Sequence, residues 1–158
     1  MASFGITSER RIVRACPELE QTARSAILIL DFSVIETTRD QETQNRYFED
    51  GVSELRWPDG THNTDPSEAM DLWPYIPPFG AISGHPDQIY EIAQQTGRTF
   101  DHVKAFIHKA YGRLAGVVTA CGAQHGHEIR WGGDWDGDGN QLDQKFHDLP
   151  HFEFLRNL

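Results

Sequence analysis

The sequence predicts an α+β fold: a small, mainly antiparallel sheet with helices flanking it. Two observations carry this. Segments of helical and strand period are segregated along the chain instead of strictly alternating. The longest periodic stretch, "TFDHVKAFIHKAYGRLAGVVTACG", has helical spacing, whereas the other apolar runs are short enough to be strands. The chain has 158 residues and 38% hydrophobic content. That suits one core, and residues 1–158 are read as a single domain.

Taken in order, "SERRIVRACPELEQTARSAILIL" places Ile12, Val13, Leu19, Ala23, Ile27 and Leu30 at roughly helical spacing. Pro17 splits the segment into a short helix and a longer one that begins at Pro17, where a missing N–H costs nothing. "DFSVIET" alternates Phe32, Val34 and Glu36 against Ser33, Ile35 and Thr37, as a strand does. "RDQETQNRYFEDG" reads as a helix closed by Gly51, and residues 52–68 as a polar loop. "EAMDLWPYI" is a strand ended by Pro77-Pro78. "ISGHPDQIYEIAQQTG" holds a helix with Gly97 at its C-cap. The long helix follows from Thr99 as N-cap, with Phe100, Val103, Phe106, Ile107, Ala110, Leu114 and Val117 in one stripe. "HEIRW" is a strand, "GGDWDGDGNQLD" a loop and "HFEFL" a final strand.

Charge and hydropathy remove several function classes. The net charge is −10, from 14 basic and 24 acidic residues, which argues against nucleic acid as the main partner and against adhesion to anionic membranes. It leaves an anionic substrate open, because one or two placed cations can dominate a cleft. The best apolar run, "AILILDFSVI", is broken by Asp31 and too short to span a bilayer, so no membrane insertion is expected. "MASFGITSERR" lacks an apolar segment after a basic start, so no secretory signal is expected there. Cys16 and Cys121 show no metal or redox spacing and read as reduced, partly buried thiols, with a disulfide between them left open.

The chemistry concentrates in "GTHNTDPSEAMDLWPY" and "DLPHFEF". Asp71 sits between Met70 and Leu72 in an apolar strand, where a bare carboxylate is costly, so it must be paired, hydrogen-bonded or bound to a metal. Imidazole and carboxylate are both good zinc ligands, so His62, Asp71 and His151 form a candidate three-ligand site with an open fourth position. Asp148, three residues before His151, would then stand beside a water at that position as general base. Singly, each residue also has an ordinary reading: a solvated His62, an Asp71 that caps a helix or pairs with Arg39, and an edge strand carrying His151.

"HNTDPSEAMDLWPY", followed far downstream by "RWGGDW" and "FHDLPHFEF", resembles the VanY-like zinc peptidases. These comprise D-Ala-D-Ala carboxypeptidases and L-alanyl-D-glutamate endopeptidases, and the resemblance is nearest to phage endolysins. Their pattern of His, Ala-x-Asp and Asp/Glu-x-x-His falls on His62, Ala69-Met70-Asp71 and Asp148-Leu149-Pro150-His151. The resemblance implies a hedgehog-like (DD-peptidase-like) α+β fold, one zinc ion held by His62, Asp71 and His151, and water activation by Asp148. It also implies that Arg39 steadies the developing oxyanion or grips a substrate carboxylate, and that Gln44 helps to orient the site and bind substrate. Trp131, with Gly132, Gly133 and Trp135, is expected to frame the cleft floor and contact substrate, with core packing of the tryptophans as the ordinary reading and both compatible. The implied partner is the bacterial peptidoglycan stem peptide, met by a monomer with no separate wall-binding module. The implied location is the host cytoplasm until lysis, then the cell wall. A carboxypeptidase, or a noncatalytic metal-stabilised binding module, is the alternative. The sequence departs from the pattern at Gly60, where the family often has Ser, and at Pro66-Ser67, an insertion expected to bulge from the loop.

Two further motifs stand apart. Asp134, Asp136, Asp138 and Asn140 fall at every second position with Gly139, like the start of a calcium loop, but Lys145 stands where the closing Glu belongs. They are read as either a nonstandard Ca2+ site or a polar turn. His125 and His127, an HxH pair without a third ligand, read as surface histidines, as do His85, His102 and His108. His147 adjoins Asp148 and is placed to tune it.

Overall fold

The computed structural model describes residues 2–156. Its helices are α1 (Ile6–Ile12), α2 (Pro17–Ala26), α3 (Gln41–Glu49), α4 (Pro86–Thr96) and α5 (Phe100–Gln124). Its strands are β1 (Phe32–Glu36), β2 (Ala69–Ile76), β3 (Gly80–Ala81), β4 (Ile129–Trp131) and β5 (His151–Phe154). The strands form one sheet in the order β1-β2-β5-β4, with β3 also paired to β2. Every strand pair is antiparallel, and the architecture is α+β.

Local chemistry sets the element ends. Pro17 opens α2 at its first position, and Asp40 caps α3 by accepting from the Thr43 N–H at 2.8 Å. Gly97 closes α4 in the left-handed region, and the Thr99 hydroxyl caps α5 through the His102 N–H. Two features were not anticipated: the short strand β3, and a 3-10 turn at Thr61–Asn63 inside the polar loop.

Strand alternation separates two faces of the sheet. Phe32 and Val34 of β1, Met70 and Leu72 of β2, Phe152 of β5, and Ile129 and Trp131 of β4 turn to the core. There they meet Leu19 and Ala23 of α2 and Val103, Ile107, Tyr111, Leu114 and Val118 of α5. The stripe on α5 therefore runs through Tyr111 and Val118, and Phe106 is exposed, in place of the expected Phe106 and Val117. The cause is the phase of the helix against the sheet, which the apolar residues around Phe106 leave ambiguous. Cys16 and Cys121 are both buried and unpaired, and burial pushes both thiols up, Cys16 to about 11. Among the described residues, no helix is long and apolar enough to cross a membrane.

Candidate metal centre

The opposite face of the same strands is polar. Asp71 and His151 are direct antiparallel partners, and a bulge between Val34 and Glu36 brings Glu36 opposite Asp71. The 3-10 turn Thr61–Asn63 lays His62 over this row. His62 Nε2 lies 3.3 Å from Asp71 Oδ1 and 3.2 Å from His151 Nδ1, and His151 Nδ1 lies 3.4 Å from Asp71 Oδ1. The three donor atoms thus form a near-equilateral triangle, 89 residues of chain separating the two histidines.

That triangle fits a tetrahedral cation. Ligand bonds of about 2.0–2.1 Å at tetrahedral angles require donors about 3.3 Å apart. The tautomers agree as well. His62 Nδ1 lies 2.5 Å from the Thr37 carbonyl, which only accepts, so the proton sits on Nδ1 and the Nε2 lone pair faces the cluster. His151 faces the cluster through Nδ1, and its Nε2 lies 3.3 Å from Glu153 Oε2. All three side chains line a cleft of about 1410 Å³ that is also lined by Arg39, Trp135 and Asp148.

Electrostatics in the cluster are strong. Burial would raise the Asp71 carboxyl, but the His62 and His151 imidazoles outweigh it and hold it well below the usual carboxylate range. Burial would lower His151, yet its bonds to Asp71 and Glu153 raise it to about 9. Asp148 is pushed up, by burial first and by the Asp71 charge second. A raised, cleft-lining carboxyl beside the donor triangle is the arrangement a general base needs.

Asp148 is held in place by its backbone. Its N–H donates to the Gly132 carbonyl at 2.8 Å, and its own carbonyl accepts from His151 N–H at 3.1 Å. Gly132 N–H in turn donates to the His151 carbonyl. A Cβ at position 132 would stand 2.4 Å from the Asp148 carbonyl oxygen and 3.1 Å from His151 Cβ. Gly132→Ala is therefore expected to displace the Asp148–His151 turn, lowering thermal stability by about 1–3 kcal/mol and weakening any metal binding by the triangle. A melting curve and a metal assay on the purified variant check this.

The structure places the other expected residues less uniformly. Arg39 donates from Nε to Glu36 at 2.9 Å and from Nη1 to Gln44 at 3.0 Å, and its Nη2 pairs with Glu36 and lies 3.5 Å from Asp71. Its guanidinium also lies over the Tyr47 ring. Arg39 thus borders the site while tied to protein groups. Gln44, expected to touch substrate, is 1% exposed. It donates to the Leu55 carbonyl and the Ser53 hydroxyl, and its Oε1 accepts from Arg39 and from Asn63, next to His62. It supports the site from behind. Trp131, expected on the cleft floor, is buried on the core face, its indole N–H donating to the Leu149 carbonyl. Alternation explains this: Trp131 shares its side of β4 with Ile129, and Arg130 takes the cleft side. Trp135 does line the cleft, as does Trp73, and the Trp135 ring lies 5.4 Å from that of His151.

The Pro66-Ser67 insertion is split: Pro66 is exposed, as a bulging loop residue would be, but Ser67 turns inward. Ser67 is fully buried, its hydroxyl donating to the Thr37 and Ala69 carbonyls and its N–H to the Arg14 carbonyl. Since the Thr37 carbonyl also orients His62, Ser67 braces that histidine. Glu36, Arg130 and Glu153 were not singled out beforehand, although Glu153 falls two residues after His151 and so on the same strand face.

The acidic loop brings carboxylate oxygens of Asp134, Asp136 and Asp138 within 4.8 Å of one another. Asp134 Oδ1 is buried without a partner, while Asn140 donates to Asp143 and accepts from the Leu142 N–H. His125 and His127 bond to Ser25 and Gln21, and among the described residues no third ligand joins them.

No protein-family model matches the chain, and no curated protein does. Six solved chains share its fold. Among them is the crystal structure of Serratia marcescens L-Ala D-Glu endopeptidase ChiX, 22% identical, with a TM-score of 0.64 over 96% of this chain and 89% of that one. The likeness shows a common α+β fold across nearly the whole of both chains.

Proposed function

We propose that this chain is a zinc metallopeptidase that cuts peptidoglycan stem peptides at the L-alanyl-D-glutamate bond and acts as a phage endolysin. The observation that carries the reading is the His62–Asp71–His151 triangle, with donors 3.2–3.4 Å apart and Asp148 beside it in one cleft. The fold shared with an L-Ala D-Glu endopeptidase supports the substrate class.

When bound, zinc supplies a Lewis acid that polarises a carbonyl oxygen and lowers the pKa of water. His62, Asp71 and His151 would hold it, and the Thr37 carbonyl and the Glu153 carboxylate keep the two imidazole lone pairs aimed at the triangle. Asp148 takes a proton from the attacking water and delivers it to the departing amine. Arg39, already beside Asp71, places positive charge where negative charge develops. Trp135 and Tyr47 supply walls along which a short peptide lies. An endolysin role places the chain in the host cytoplasm until a separate pore protein gives it access to the wall. Calcium in the Asp134–Asp138 loop would order the segment that leads to Asp148.

Digestion of purified peptidoglycan followed by mass spectrometry tests this. The expected products are stem peptides with a new D-glutamate amino terminus. Release of free D-alanine would instead assign the carboxypeptidase, and bound zinc with no cleavage would assign a binding module. Repeating the digestion with a calcium chelator too weak to strip zinc tests the loop, and an unchanged rate removes calcium from the account.

A further inference from the structure

The cleft face of the sheet carries two neighbouring cross-strand rows of ionisable side chains. Register sets Glu36 opposite Asp71, Asp71 opposite His151, and Arg130 opposite Glu153. Glu153 joins the two halves. Its Oε2 lies 3.3 Å from His151 Nε2, and its Oε1 accepts from Arg130 Nε at 2.6 Å and pairs with Arg130 Nη2.

Stability alone is a weak reason for this carboxylate. Glu153 is 4% exposed while its partner Arg130 is only half-buried, and a pair of that kind gives back little more than the desolvation of the carboxylate costs. The second oxygen meets the imidazole nitrogen that faces away from the donor triangle. Carboxylates in that position set which ring nitrogen keeps its proton and raise the basicity of the other.

We infer that Glu153 is a positioning residue of the metal centre: it accepts the His151 Nε2–H, which leaves the Nδ1 lone pair facing Asp71 and His62, while Arg130 clamps the carboxylate. The inference rests on the metallopeptidase reading. It makes the two histidines opposite tautomers. His62 is held through Nδ1 by a neutral carbonyl and binds through Nε2, and His151 is held through Nε2 by an ionised carboxylate and binds through Nδ1. His151 is thereby the more strongly donating ligand.

Glu153→Gln keeps the size and an acceptor oxygen but removes the charge. Its zinc affinity, measured by chelator competition, is expected to fall about 10–100-fold. The visible spectrum of the cobalt-substituted variant is expected to shift, which loss of a merely structural ion pair would not cause. In the zinc-loaded, 15N-labelled wild type, ring-nitrogen spectra are expected to place the proton of His151 on Nε2 and that of His62 on Nδ1. Unchanged affinity with an unshifted cobalt spectrum, or a proton on His151 Nδ1, overturns the inference. If Glu153→Gln does not fold, the wild-type spectrum decides. A wild type that takes up no zinc defeats the metallopeptidase reading and this inference with it; normal wild-type zinc with an unmoved variant defeats this inference alone.

Discussion

Asp148→Asn is expected to lower kcat/KM on stem peptides by about 10²–10⁴-fold, the usual contribution of a positioned general base, with zinc content unchanged. The substitution is nearly isosteric and leaves intact the backbone bonds that tie residue 148 to Gly132 and His151. It removes only the ability to accept a proton. The same carboxyl sets the acid side of the rate profile. Asp148 is raised in the metal-free chain, chiefly by burial, and a cation at the neighbouring triangle would pull it the other way. The base works as carboxylate, so activity is expected to rise with pH through the titration of Asp148 and to lose that acid limb in the variant. A steady-state pH series with wild type and Asp148→Asn checks both statements; wild-type rates in the variant with full zinc would remove Asp148 from the chemistry.

Asp71→Asn is expected to weaken zinc binding by more than the roughly 10–100-fold that loss of an outer partner costs, and to abolish hydrolysis with it. Asp71 Oδ1 is the corner of the triangle that both histidines share, and an amide there brings no negative charge to bind the cation. Proton competition makes the binding pH-dependent. His151 is raised to about 9 in the absence of metal, so at pH 7 a zinc ion displaces a proton from it, and affinity rises with pH up to about 9. Stability of the metal-free chain follows the opposite sign on that side. A histidine raised above 6.5 contributes stability fully below 6.5 and loses it as pH climbs through about 9. Asp71, held low, contributes above its ordinary 3.8 and loses that contribution as the pH falls below it. Metal-free protein is therefore expected to melt lower at pH 9 than at pH 6.5, and zinc to remove that alkaline loss. Calorimetry of zinc binding in two buffers of different ionisation enthalpy, with melting curves alongside, measures each effect.

Much of the site was visible in local patterns because its parts are local. Asp148-Leu149-Pro150-His151 is one turn, and Asp71 between Met70 and Leu72 announces a carboxylate on an apolar strand. The helix ends at Pro17, Gly97 and Thr99 were readable for the same reason: each cap is satisfied within a few residues. Convergence was not readable in that way. It arises from the pairing of Asp71 with His151 and from the Thr37 carbonyl that turns His62, contacts that span long stretches of chain.

The misplacements on the sheet share one physical origin. Alternation along a strand says that neighbours face opposite sides, but which side is the core depends on register and on bulges. That choice buried Trp131, put Arg130 and Glu153 on the cleft side, and let the bulge before Glu36 bring it opposite Asp71. Gln44 and Ser67 moved from expected surface roles to buried ones because each had several backbone carbonyls or polar side chains in reach, partners that exist only once α1, α3 and the polar loop have packed together. Residue chemistry and the family resemblance named His62, Asp71, His151 and Asp148 as candidates; packing brought the first three together and chose the side chains that aim them.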